Sequence, residues 1–292
     1  MASKRVIVDM DNTMGVPGCD IDDMLSLLML LGSDDIVVEG VCTTYGNSTL
    51  ETVHANTQRL FSELALDIPL AQGAACPEQP IAPAAEFLAH ETARNPGELT
   101  VLATGSLTNL KGAAALDEGF YENVRGVVLM GGYTQSLFLG GVAIDELNTS
   151  CDPQATYGLL ASGCDVTVAT AQNCLPASFT RTLLEERFGA GSWLLAECGP
   201  WFDAVLEHTG QDGWVCWDVV AAAMLAAPQL FEPATMDVAL NRRWLSVGYF
   251  EHTRDAHVPS ARISVPRIAD ADAFRELVIE RWHTALARLG KE

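Results

Sequence analysis

Short apolar runs alternate with segments whose apolar positions recur at helical spacing through the first 170 residues. The continuous runs over 6–9, 36–43, 68–70, 99–103, 127–130 and 166–169 predict strands. Between them, 22–31 predicts a helix, and Leu50, Val53, Thr57, Leu60, Phe61 and Leu64 mark a second at i, i+3, i+7 spacing. Further helices are expected over 82–92, 107–116 and 153–161. Strands as evenly hydrophobic as Gly126-Val127-Val128-Leu129-Met130 suit a parallel sheet covered on both faces. The fold class that follows is α/β: one domain over 1–292, with a mostly parallel central sheet and helices on both faces. The last third changes character and predicts a smaller C-terminal elaboration. Its helices are expected over 192–207, over 217–226 and from Asp272 onward, and its short strands over 236–240, 246–251 and 261–265.

Ligands of open parallel sheets bind at the carboxyl ends of the strands, and the first strand ends in acids. Asp9 and Asp11 close it, and Asp22 and Asp23 open the helix that follows. Carboxylates gathered at one strand end repel one another unless donors or a cation compensate, so a hard divalent metal with oxygen ligands is the natural explanation. Helix capping by Asp22 or Asp23 is the plainer alternative, but it accounts for one acid and not four. The Gly and Pro content of the stretch between, 12–20, makes it a loop.

Composition narrows the function. The formal net charge is −21, and lysine occurs only at positions 4, 111 and 291, so no surface here is suited to nucleic acid or an anionic membrane. No run approaches the roughly 20 apolar residues of a membrane helix, and the N-terminal residues lead straight into the first strand without a signal-peptide pattern, which predicts a soluble, cytoplasmic protein. Eight cysteines without a C-x-x-C pair fit reduced thiols and argue against zinc.

Two families place acids at this strand end. Residues 6–13 resemble the haloacid-dehalogenase-type phosphatase signature, which would make Asp9 and Asp11 nucleophile and general acid. That match lapses downstream, because such enzymes need a later lysine to hold the phosphoryl group and Lys111 is the only internal one. The second resemblance runs nearly the whole chain. Asp9-x-Asp11 followed by Ile21-Asp22-Asp23-Met24-Leu25 is similar to the fingerprint of the inosine-uridine preferring nucleoside hydrolases. Thr43-Thr44-Tyr45-Gly46-Asn47, Thr104-Gly105-Ser106-Leu107-Thr108-Asn109, Val128-Leu129-Met130-Gly131-Gly132, Glu146-Leu147-Asn148 with Asp152-Pro153, and Trp217-Asp218 match later family segments in the right order.

The resemblance implies a calcium-dependent enzyme that cleaves the N-glycosidic bond of ribonucleosides, acting in nucleoside catabolism and purine salvage as a homo-oligomer, dimer or tetramer. It implies that Asp11, Asp23, Asp218 and the carbonyl of Thr104 hold calcium, with Asp11 also the base that takes a proton from water. Asp22 and Asn47 would bind the secondary ribose hydroxyls, Glu146 and Asn148 the sugar's other polar atoms, and Met130 would pack on the sugar. Asp9 would orient Asp11 through hydrogen bonds. A Trp at position 217, where other members carry His, suits stacking on a purine. His208 and Trp201 fall where the family builds a mobile segment over the base. Plainer roles stand beside these: a turn residue for Asn47, a helix cap for Asn148, and core packing for Met130 and Trp217.

The chain departs from the family in three places. The Asn that usually precedes Glu-x-Asn and contacts the 5′-hydroxyl is missing, with Gly140-Gly141 in that stretch. Loop 12–20 is longer than the usual turn and carries Cys19, and a shift of its register would make Asp20 rather than Asp22 the contact to the sugar. The segment between Leu70 and Leu99 is short and does not match the stretch in which many members present a His or Trp to the base. A pocket that binds a nucleoside or ribose without turnover is the non-enzymatic alternative.

Overall fold

The computed structural model describes residues 3–291. Its frame is an eight-stranded sheet. In chain order the strands are β1 (Lys4–Met10), β2 (Ile36–Thr43), β3 (Leu70–Gln72), β4 (Leu99–Ala103), β5 (Gly126–Met130), β6 (Val166–Ala169), β7 (Thr235–Ala239) and β8 (Ser260–Ser264). Across the sheet the order is β7-β8-β6-β5-β4-β1-β2-β3. All neighbours run parallel except the edge pair β7–β8. Strand β1 lies between β2 and β4, with Asp9 in register with Cys42 on one side and Ala103 on the other.

Side chains alternate across a strand, so β1 feeds two cores. Val6, Val8 and Met10 join one buried cluster and Ile7 the other. On the first face lie α1 (Asp22–Leu31), α2 (Leu50–Glu63) and, from the C-terminal third, α6 (Trp193–Thr209), α7 (Trp217–Ala226) and α8 (Ala271–Arg288). On the second face lie α3 (Pro83–Arg94), α4 (Thr108–Leu116) and α5 (Pro153–Ala161). Helix α1 has few polar positions because it packs on α7 and α8 as well as on the sheet. The indole N–H of fully buried Trp282 in α8 donates to the Leu25 carbonyl of α1 at 2.9 Å. The C-terminal third therefore supports the helix that carries Asp22 and Asp23.

Two expected strands differ. The run over 68–70 pairs later, at Leu70–Gln72. The run over 246–251 is not a strand: a helical turn, Arg242–Leu245, is followed by main-chain N–H groups of Val247, Gly248 and Tyr249 that bond back to Trp244 and Leu245 carbonyls. Donors used within such a turn are lost to a ladder, and Gly248 takes the positive φ of 70° that the turn requires. Only single bridges, such as Tyr133 with Tyr249, remain. No helix among the described residues is long and apolar enough to cross a membrane.

Candidate active site

The carboxyl end of the sheet forms the site. Asp11 follows the last residue of β1, Asn47 follows β2, Thr104 follows β4, and Asp22, Asp23 and Asp218 stand in the first turns of α1 and α7. A helix N-terminus favours carboxylates through its free N–H groups and dipole. The main chain of Asp11 donates to Asp23 Oδ1 at 3.2 Å, and the hydroxyl of Thr104 donates to the same oxygen at 2.8 Å. Asn47 spans the cluster: its main-chain N–H donates to Asp11 Oδ2 at 2.6 Å, and its amide reaches Asp11 Oδ1 and Asp23 Oδ2, each at 3.3 Å. Asn47 is thus more than a turn residue. A Cβ at Gly46 would strike the carboxylate of Asp11, and one at Gly105 would strike the Thr44 methyl and crowd Asp11.

Carboxylate oxygens of Asp22, Asp23 and Asp218 lie within 4.8 Å of one another. None of these acids, nor Asp11, forms an ion pair with a basic side chain among the described residues. Burial pushes Asp11 up to about 7 against the donors from Asn47, and pushes Asp23 and Asp218 well above the usual carboxylate range, with the charges of their acidic neighbours adding to the effect. Asp22 is raised by burial too, opposed by the Asp218 main chain. Buried, mutually repelling, acceptor-only oxygens without a cationic partner fit a hard divalent ion, which would pull all of these acids down again. Asp22, Asp23 and Asp218 are the acids whose oxygens lie close enough to share one ion, and Asp11 and Thr104 stand beside them through their hydrogen bonds to Asp23.

Asp9 differs from expectation. It makes no hydrogen bond to Asp11: its Oδ1 accepts from the Asn109 amide at 2.8 Å, and its Oδ2 is buried without a partner. Ionised carboxylates are both acceptors and cannot bond each other directly. Burial first, with the charge of Asp11 adding, raises Asp9 to about 7 against the Asn109 donor. What links the two acids is thus the charge of Asp11 felt by Asp9, and not a hydrogen bond.

Above the acids opens a cavity of about 300 Å³. Its polar lining includes Asp22, Asn47, Thr104, Asp218, Glu146 and Asn148. Asn148 donates to the Met130 carbonyl at 3.2 Å and turns Met130 into the lining, while the cap of α5 falls to Asp152, which accepts from Ala155 at 3.0 Å. The carboxylate of Glu146 is shared with the Thr149 hydroxyl and N–H at 2.7 and 2.8 Å and the Ser150 N–H at 3.1 Å. Trp201, Trp214 and Trp217 form an aromatic wall. In the stretch that lacks the family's Asn, Leu137, Ile144 and Asp145 line the cavity, and Gly140-Gly141 turn a small hairpin, Phe138–Leu139 with Val142–Ala143. His208 is not brought in. It is exposed on the last turn of α6, where its Nδ1 meets the Ala204 carbonyl at 2.7 Å, because a residue on the solvent side of an amphipathic helix turns away from the cavity.

The family model for inosine-uridine preferring nucleoside hydrolases matches residues 6–276. The chain belongs to the nucleoside hydrolase family. It is 31% identical to uridine nucleosidase 1 of Arabidopsis thaliana, over 84% of this chain and 81% of that one. It is 26% identical to the non-specific ribonucleoside hydrolase RihC of Salmonella agona, over 96% and 97%. Among solved structures, the plant nucleoside hydrolase PpNRh1 superposes with a TM-score of 0.81 at 23% identity, covering 96% of this chain and 98% of that one. A purine-preferring ribonucleoside hydrolase from Gardnerella vaginalis gives 0.81 at 20% identity, over 97% and 99%; these two likenesses concern the fold. As a nucleoside hydrolase the chain cleaves the N-glycosidic bond of ribonucleosides, and the phosphatase reading of Asp9 and Asp11 lapses.

Asn109 and Trp214 are residues of this nucleoside hydrolase site that only the tertiary structure brings to light. Asn109, the last residue of Thr104-Gly105-Ser106-Leu107-Thr108-Asn109, joins Asp9, the Thr43 carbonyl at 3.0 Å and the Ala74 N–H at 2.8 Å. Trp214 and Asp20 both line the cavity. Their pairing across 194 positions left no local signal.

Proposed function

We propose that this nucleoside hydrolase is calcium-dependent and prefers purine nucleosides, with Asp11 as the base that activates water. The observation that carries the proposal is one cavity lined at its floor by Asp22, Thr104 and Asp218, next to buried Asp11 and Asp23, and at its side by three tryptophans. Oxygen donors without nitrogen or sulfur select calcium or magnesium over softer ions, and several carboxylates with a threonine carbonyl suit the larger, more adaptable calcium shell. Asp11, Asp23, Asp218 and the Thr104 carbonyl would hold it. When bound, such an ion lowers the pKa of the attacking water and fixes its direction.

Ribosyl cleavage passes through an oxocarbenium-like state. Asp11, held on both oxygens by Asn47, takes the water's proton, and the surrounding carboxylates stabilise the positively charging sugar. Asp22 and Asn47 bind the secondary hydroxyls; Asn148 and Glu146 bound the rest of the sugar beside Met130. Trp217 stacks on the base, and Trp201 covers it. A bicyclic purine gains more from an aromatic wall than a pyrimidine does. Eight unpaired cysteines support a cytoplasmic address, and the homo-oligomer is read by light scattering.

The test is release of free base from inosine, adenosine, guanosine, uridine and cytidine, in chelator and after calcium is restored. Calcium-dependent release with purines fastest supports the proposal. Faster uridine cleavage, as the name of the Arabidopsis relative suggests, removes the purine preference; equal rates in chelator remove the metal.

A further inference from the structure

Trp214 stands between the other two indoles of the wall. Its ring centroid lies 5.2 Å from that of Trp201 at 90° and 5.9 Å from that of Trp217 at 80°. In an edge-to-face trio of this kind, turning one ring disturbs its contacts with the other two. The orientation of the middle ring is set from elsewhere: its Nε1–H points between both oxygens of Asp20, at 2.9 and 3.0 Å.

Asp20 is in turn held on a fastened loop. The Thr13 hydroxyl donates to the Asp20 carbonyl at 2.8 Å, and the Ile21 N–H donates to its carboxylate at 2.7 Å. Further back, the Met14 carbonyl accepts from Asn56 at 3.1 Å and from Arg59 at 3.2 Å, both on α2, and Arg59 also pairs with Glu197 at 2.8 Å on α6, the helix of Trp201. Loop 12–20 and the Trp201 helix therefore share one anchor. A buried indole N–H usually requires an acceptor, and a carboxylate is the strong choice.

We propose that Asp20 is a positioning residue for base selection: it locks Trp214, and through Trp214 the face of Trp217, so that loop 12–20 sets how well the wall discriminates purine from pyrimidine. The inference rests on the reading that the base lies against Trp217. Either protonation state of Asp20 keeps an oxygen to accept the indole proton, so the device does not depend on the charge of the acid.

The test uses the metal-replete enzyme and two free bases, hypoxanthine and uracil, whose binding is followed by tryptophan quenching. Free bases are not turned over, so the measurement stands whether or not any nucleoside is cleaved. Asp20→Ala and Trp214→Phe should each weaken hypoxanthine by about fivefold, with uracil changed by less than about twofold. Asp20→Asn keeps an acceptor oxygen and should stay near the parent. The double variant Asp20→Ala with Trp214→Phe should be no worse than either single, because both remove one contact. In the ligand-free protein, Asp20→Ala should also alter the circular dichroism band that coupled indoles produce.

An unchanged band and unchanged hypoxanthine binding in Asp20→Ala would overturn the inference. So would multiplying effects in the double variant, an equal loss for uracil, or an Asp20→Asn as impaired as Asp20→Ala. If the parent releases no base from any nucleoside yet shows the expected binding pattern, the hydrolytic proposal fails and the positioning role stands.

Discussion

The main-chain N–H of Asp218 donates to Asp22 Oδ2 at 3.0 Å, joining the first turns of α7 and α1 across 196 positions of sequence. One carboxylate thus lines the cavity and also satisfies a buried helix-end donor. Asp22→Asn keeps an acceptor and removes one like charge. In chelator its melting temperature should equal or exceed that of the parent, while KM for a nucleoside rises at least about tenfold through loss of a charge-assisted hydroxyl contact. Thermal melting beside steady-state kinetics checks both halves.

Asp11 and Asp9 should separate by size of effect. Asp11→Ala removes the base and one of the proposed calcium ligands and should lower kcat about a thousandfold. Asp9→Asn keeps the partner of Asn109 and removes only a neighbouring charge, so a loss of about tenfold is expected. Steady-state kinetics on the preferred nucleoside decides; equal losses would mean that Asp9 touches the reacting atoms.

Stability of the metal-free protein should fall as pH rises. Asp9 and Asp11 are raised from about 4 to about 7 by burial, so the folded state holds protons that the unfolded chain has released across that window. Stability is then greatest below the unfolded value and declines until the folded value is passed. Melting in chelator should be lower at pH 8 than at pH 5, and calcium should restore most of the difference by neutralising the carboxylates and by mass action. A melting temperature that climbs with pH in chelator would contradict the electrostatic account.

Trp282 lies outside the site and should matter only for folding. It is fully buried, rests against Phe179 with ring centroids 5.0 Å apart, and caps a carbonyl of α1. Trp282→Ala should cost about 3–5 kcal/mol in denaturant unfolding. Trp282→Phe should cost less, and its kcat per folded molecule should be unchanged.

Most of the frame was legible because hydrophobic period is a local property. The evenly apolar runs at β1, β4, β5 and β6 announced a parallel sheet buried on both faces, and the acids at 9, 11, 22 and 23 announced where it binds. The run over 246–251 misled for the same reason: its composition suits a strand, but Gly248 allows a turn that takes up its donors. His208 could be placed on a helix but not on a face of it.

The sequence by itself determined the order of strands and helices, the excess of acid and the kind of ligand that acid invites, since these follow from residue type and spacing. Only the tertiary structure decided which groups meet: Asn47 across two aspartates, Asn109 beneath Asp9, and Asp20 on Trp214. A parallel sheet brings the ends of distant strands together in an order set by its crossovers, and hydrogen bonds across that rim depend on distances that no local pattern encodes.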